Sequence, residues 1–334
     1  MNMTKWLEEV LAADQRKALP VLSFPAIQKM NITVRDLIGS SDYQAQALRT
    51  IADETDSLAS VSLMDLSIEA EAFGSEIRVA DDEVPTVIGA IVSDEEAADA
   101  LSIPEISAGR IAINIEAIRK AAALIADRPV FAGAIGPFSL AGRLMGVSEA
   151  LIYCFEEEDM VHTVLDKVTE FLINYYNAYK ETGAAGVVMA EPLAGLLSPD
   201  MAEEFSADYV KKIVDAVQTD EFIIVYHNCG NSAIKTIDSI VTNGCKIFHF
   251  GNAIDMEEMM SHIPDDMIAM GNVDPAGEFR NGTPESVYNK TLEVMEKCCK
   301  YKNFIISSGC DIPPLSPWDN IHSFFQAVAD FNNR

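Results

Sequence analysis

Phe222-Ile223-Ile224-Val225-Tyr226-His227-Asn228-Cys229-Gly230 joins a short apolar run to two side chains that bind metals well. An apolar run of this length, closed by a glycine turn, reads as a buried β-strand over Phe222–Tyr226. His227 and Cys229 lie just past it. In extended backbone the side chains at i and i+2 point the same way, so this pair can converge on one ion. The pattern recurs downstream, where the run Phe304–Ser308 leads into Gly309-Cys310-Asp311. One imidazole and two thiolates suit zinc, and three protein ligands leave the fourth tetrahedral position open, as catalytic sites do. His227, Cys229 and Cys310 are therefore the candidate metal ligands. The competing reading is a core histidine near unrelated thiols.

Outward from this stretch, strands and helices alternate. Strands are expected at Val21–Phe24, Ser60–Met64, Val130–Ala134, Gly186–Glu191, Phe222–Tyr226, Lys246–Phe250, Met267–Val273 and Phe304–Ser308. Helical patterns separate them: Tyr43–Asp56, Val147–Gly183 as one long helix, Ser198–Gln218 behind a Ser-Pro start, and Ser232–Asn243 stopping at Gly244. Met256–His262, Thr283–Tyr301 and Pro317–Phe331 complete the set. Eight strands with intervening helices form the pattern of an α/β chain folded as a (β/α)8, or TIM, barrel. Additional N-terminal helices precede it. A single domain over residues 1–334 is expected, with an N-terminal helix over about 1–18 and a helical insertion or connection over about 81–127. In such barrels the chemistry sits at the C-terminal ends of the strands. His227 and Cys229 follow the fifth expected strand and Cys310 the eighth, so the barrel brings them to one face.

Composition narrows the class. The formal charge of −28 argues against nucleic acid or an anionic membrane as partner, because both demand a basic face. No apolar run approaches the roughly 20 residues that span a bilayer. The stretch Met1 to Leu19 is charged and lacks the apolar centre of a signal peptide, which points to a cytoplasmic protein with reduced thiols. Cys298 and Cys299 point apart on an expected helix, and Cys154 and Cys245 read as small core residues.

The residues resemble the uroporphyrinogen decarboxylase superfamily, and within it the zinc-dependent methylcobamide:coenzyme M methyltransferase branch. The likeness runs through Asp65-Leu66-Ser67-Ile68-Glu69-Ala70-Glu71-Ala72-Phe73-Gly74, Gly136-Pro137-Phe138-Ser139-Leu140-Ala141, and Glu191-Pro192 with Leu197-Ser198-Pro199. It continues through His227-Asn228-Cys229-Gly230-Asn231, Gly271-Asn272-Val273-Asp274-Pro275 and Gly309-Cys310-Asp311-Ile312-Pro313-Pro314. The His-x-Cys pair with the distant Gly-Cys is the specific part. The resemblance implies transfer of a methyl group from a methylcorrinoid to a zinc-activated thiol such as coenzyme M. The family's decarboxylases carry an arginine-rich N-terminal loop, whereas Leu19-Pro20-Val21-Leu22-Ser23-Phe24-Pro25-Ala26 has no arginine, which counts against a decarboxylase. No Asp-x-His-x-x-Gly corrinoid signature occurs in the chain, so the corrinoid is expected on a separate protein. Methyl transfer to tetrahydrofolate and a non-catalytic role as a corrinoid-protein partner are the other readings.

Further candidates sit at expected strand ends. Glu191 is a candidate catalytic group, to bind a ligand, act as a weak fourth metal ligand or orient substrate; the alternative is a helix-terminal charge. Asp65, with Glu69 and Glu71, either faces the cavity or belongs to a solvated acidic loop. Asn252 and Asp274 are candidate cofactor-binding residues, and Asp311 is a candidate for orienting a ligand beside Cys310. Arg143 and Arg280 are the basic candidates for an anionic acceptor. His249 either lines the mouth or is a buried core histidine.

Overall fold

The computed structural model describes all 334 residues. Its main element is a seven-stranded sheet: β1 (Ser60–Val61), β4 (Val130–Ile135), β5 (Gly186–Ala190), β6 (Ile223–Asn228), β7 (Ile247–Phe250), β8 (Ile268–Val273) and β9 (Phe304–Ser308), adjacent in that order. Every pairing in it is parallel. Each residue of β4 to β9 is buried, as expected of a parallel sheet covered on both faces. That is why these segments read as continuous apolar runs.

The expected first strand, Val21–Phe24, is not a strand. Three positions earlier, Ala18 makes parallel bridges both to Ser57 beside β1 and to Ile306 in β9. Leu19 N–H donates to the Ile306 carbonyl at 3.0 Å, and Leu58 N–H to the Ala18 carbonyl at 2.8 Å. Pro20 then ends the ladder, since it has no N–H to give. Val21 N–H turns instead to the Ser308 hydroxyl at 3.0 Å. The segment that touches both sheet edges is thus one bridging residue rather than an eighth regular strand.

Side-chain alternation sorts the strands into two cores. Ile223 and Val225 of β6 join Val61, Phe131, Val188, Ile247, Ile268, Met270 and Ile305 in an inner cluster of 17 buried residues. Ile224 and Tyr226 face the other way, into an 81-residue cluster beneath the surrounding helices. The helix Met3–Ala12 lies across the N-terminal end of the inner cluster. Its Trp6 packs against Phe131 with ring centroids 6.2 Å apart.

Several helical expectations need correcting. Val147–Gly183 is two helices, Val147–Glu156 and Glu158–Lys180, separated where Glu157 leaves helical geometry at φ −140° and ψ 49°. Ser198–Gln218 contains a π-turn over Glu203–Ala207 between two α-helical pieces. The region 81–127 holds the helices Glu95–Ala100 and Gly109–Leu124, but begins with the second half of a hairpin, β2 (Glu76–Arg78) with β3 (Thr86–Ile88). Val84 to Val92 is rich in β-branched residues, which favour that hairpin. No single helix is long and apolar enough to cross a membrane.

One buried group gives the fold a pH dependence. Glu69, on the short helix Ile68–Ala72, accepts from Ile135 N–H at 3.2 Å through Oε1, while Oε2 is buried without a partner. Burial pushes its carboxyl up to about 7. A carboxyl raised in the folded state contributes its full stability below its ordinary value and loses it as the pH rises through the folded value. Glu69→Gln is expected to flatten the decline in stability between about pH 4.5 and 7 and to exceed the parent by about 3 kcal/mol at pH 8, measured by urea unfolding at a series of pH values.

Candidate functional site

β6 runs through Asn228, so His227 lies within the strand rather than just past it. The alternation that turns Ile223 and Val225 inward also turns His227 inward, one layer above them. Cys229 follows at the next inward position, and Cys310 arrives two residues beyond β9. Their ligand atoms all lie within 4.8 Å of one another. Cys310 Sγ stands 3.5 Å from His227 Nε2. His227 is buried and the two cysteines are half-buried. Glycine makes the approach possible: a Cβ on Gly251, at the end of β7, would stand 2.6 Å from the Cα of Cys229.

Contact between the two thiols drives their acidities apart. Cys229 is held well below the ordinary thiol range, first by the hydrogen bond from Cys310 and then by His227. The same contact and burial push Cys310 up. The set therefore offers one ready thiolate, a second that ionises when a cation replaces the proton, and an imidazole nitrogen. That donor chemistry fits a zinc ion and leaves one coordination position free of protein.

Beneath His227 lies His249 on β7, its partner in the ladder register, with ring centroids 4.5 Å apart. A carbonyl only accepts, so His249 Nε2 donates to the Ser308 carbonyl, at 2.7 Å. Burial holds His249 well below its usual value. It is a core histidine of the layer under the cluster. The Ser307 hydroxyl, 3.2 Å from the same nitrogen, donates to the Leu19 carbonyl at 2.7 Å.

The other candidates are brought near the strand ends but are bound to their own surroundings. Glu191 follows β5 and is fully buried. Its carboxylate accepts from Phe138 N–H at 2.7 Å, Ser139 N–H at 2.9 Å and the Ser206 hydroxyl at 3.0 Å. It therefore caps the helix Pro137–Met145 and ties it to the π-turn. Burial pushes its carboxyl up to about 6. Asp65 accepts from Ser67 N–H and its hydroxyl, and from Arg110, which also holds Glu71. Arg110 could not be read from the sequence, because nothing local pairs a helical arginine with a loop carboxylate far upstream. Asn252 and Asp274 line one cavity of about 230 Å3, and Asp274 caps the turn Pro275–Arg280 through Ala276 and Gly277 N–H. The largest cavity, about 890 Å3, lies at the opposite end beside the helix Met3–Ala12, away from the cluster.

Comparison with known proteins places the chain in a family. Residues 16–331 match the uroporphyrinogen decarboxylase (URO-D) family. The chain is 28% identical over 277 residues to the methylcobamide:CoM methyltransferase MtbA of Methanosarcina acetivorans, covering 80% of this chain and 78% of that one. It is 31% identical over 180 residues to a uroporphyrinogen decarboxylase of Prochlorococcus marinus, covering 53% of this chain and 50% of the relative. Among solved structures, a methyltransferase from Methanosarcina mazei superposes with a TM-score of 0.88 at 21% identity over 99% of both chains, a likeness of fold.

The lowered thiol pKa of Cys229 is open to test. In metal-free protein, iodoacetamide labelling followed by mass spectrometry is expected to modify Cys229 well before Cys154 and Cys298, whose thiols burial pushes up to about 12. Cys310→Ala is expected to move the half-labelling pH of Cys229 upward, toward the ordinary thiol value of about 8.5.

Proposed function

This chain belongs to the uroporphyrinogen decarboxylase family, and we propose that it is a methyltransferase that moves a methyl group from a methylcorrinoid on a separate protein to a small thiol, using zinc held by His227, Cys229 and Cys310. The observation that carries this reading is the convergence of one imidazole and two thiols within 4.8 Å. The 28% identity to a methylcobamide:CoM methyltransferase over most of both chains supports it. In this reading the Ala18 segment counts as the eighth stave of a (β/α)8 barrel, and residues 1–334 form one domain.

Bound there, zinc would keep an acceptor thiol ionised at neutral pH. His227, Cys229 and Cys310 would hold the ion and take no part in proton transfer. The acceptor sulfur forms the new S–C bond with its lone pair as the Co–C bond breaks. Both electrons of that bond stay on cobalt, which leaves as Co(I), and the thiol proton goes to solvent. The apolar inner cluster, beyond the His249 layer, would exclude water from beneath. Glu191 and Asp65, with carboxylates engaged by Ser139 and Arg110, are assigned to positioning the loops around the mouth rather than to the reaction. Asn252 and Asp274 are assigned to the flank on which the corrinoid carrier settles.

Purified protein is expected to hold one zinc per chain and to demethylate methylcobalamin only when a thiol is present. Cys310→Ala is expected to lose the metal and at least about 100-fold in rate, as removal of a metal-site group does. Elemental analysis and the methylcobalamin absorbance read both. Absence of zinc from the wild type, with full activity, would sink the proposal.

A further inference from the structure

A cavity of about 380 Å3 is lined by Met64, Asp82, Glu83, Arg280, Asp311 and the Pro313–Leu315 turn. It adjoins the cluster through Asp311, the residue that follows Cys310 in the chain. Its charges are unspent. Arg280 makes no ion pair or side-chain hydrogen bond, and neither do Asp82 and Glu83 on the turn of the β2–β3 hairpin. Their neighbour Asp81 is by contrast paired with Arg35 at 2.9 Å. Asp311 Oδ1 is buried with no partner. One wall thus offers a lone guanidinium and the facing hairpin offers carboxylates, in a protein of net charge −28 where most other arginines are bound.

We infer that this cavity is the acceptor subsite and that the acceptor is an amino-acid thiol. Its carboxylate would meet Arg280, its ammonium would meet Asp82 and Glu83, and a short side chain would carry sulfur toward Cys310. The inference rests on the methyltransferase reading and goes further by naming the acceptor class. A thiol whose tail is purely anionic satisfies Arg280 alone and faces the carboxylates of Asp82 and Glu83, which carry its own sign. A zwitterion satisfies both walls of this exposed site, and like-charge contacts disfavour a ligand that matches only one.

The test compares L-homocysteine, 2-mercaptoethanesulfonate and 2-mercaptoethanol as acceptors of the methylcobalamin methyl group with zinc-loaded protein. It also titrates each thiol into cobalt(II)-substituted protein, where thiolate binding is read from the charge-transfer absorbance. L-Homocysteine is expected to exceed both other thiols in kcat/KM by about tenfold or more. Arg280→Met and the double variant Asp82→Asn/Glu83→Gln are each expected to lower the ratio of L-homocysteine to 2-mercaptoethanol about tenfold. The double variant is expected to raise the relative rate with 2-mercaptoethanesulfonate. Because ratios are compared, a general loss of folded protein does not mimic the effect. Preference for 2-mercaptoethanesulfonate in the wild type, or ratios unmoved by both variants, overturns the inference while leaving the methyltransferase intact. Arg280-dependent binding of L-homocysteine without methylation of any thiol upholds the subsite and overturns the reaction instead.

Discussion

Parallel pairing from β4 to β9 is the constraint on which the remainder of the molecule depends. A parallel ladder brings every C-terminal strand end to the same side, so residues that leave different strands meet without any local sequence relation. It also fixes which side chains point inward. Once Val225 fills the inner cluster, His227 must follow it into the next layer, and Ser307 must follow Ile305 in the same way. The cluster at the top therefore needs no special backbone beyond the glycines that let neighbouring turns approach.

The polar groups around that cluster are held by partners chosen for shape rather than chemistry. Glu191 accepts three hydrogen bonds, two from a helix start and one from a serine. Asp65 is held by Ser67 and Arg110. Leaving such groups unmet in a buried position costs about 1–3 kcal/mol each, and more for a charge. Satisfying them ties the helix Pro137–Met145 to the turn Glu203–Ala207 and the helix Gly109–Leu124 to the segment after β1. The frame around the mouth is thus held by groups engaged with one another.

Much of this was legible in the sequence, for physical reasons. Buried parallel strands are apolar on both faces, so β4 to β9 stand out as runs, and His227, Cys229 and Cys310 stand out as their terminators. The first strand was misread because Val21–Phe24 has strand-forming residues, while Pro20 and Pro25 remove the ladder donors that such a strand needs. The hairpin β2–β3 was lost in a region whose alanine-rich flanks read as helix. Arg110 and the partners of Glu191 could not be seen at all, since they meet only through tertiary packing. Arg280 was visible as a charge but not as an unpaired one, which only the neighbours in space decide.

The filled bore has a kinetic meaning. With Trp6 packed on Phe131 and apolar side chains stacked above it, the end of the inner cluster opposite the ligands is closed. In the proposed reaction, a protein-bound corrinoid seated over the mouth would cover it. The small acceptor would then arrive first and its methylated product leave last, in a compulsory order. The architecture of the closed end, remote from every reacting atom, would thereby set the sequence in which the proposed substrates are used.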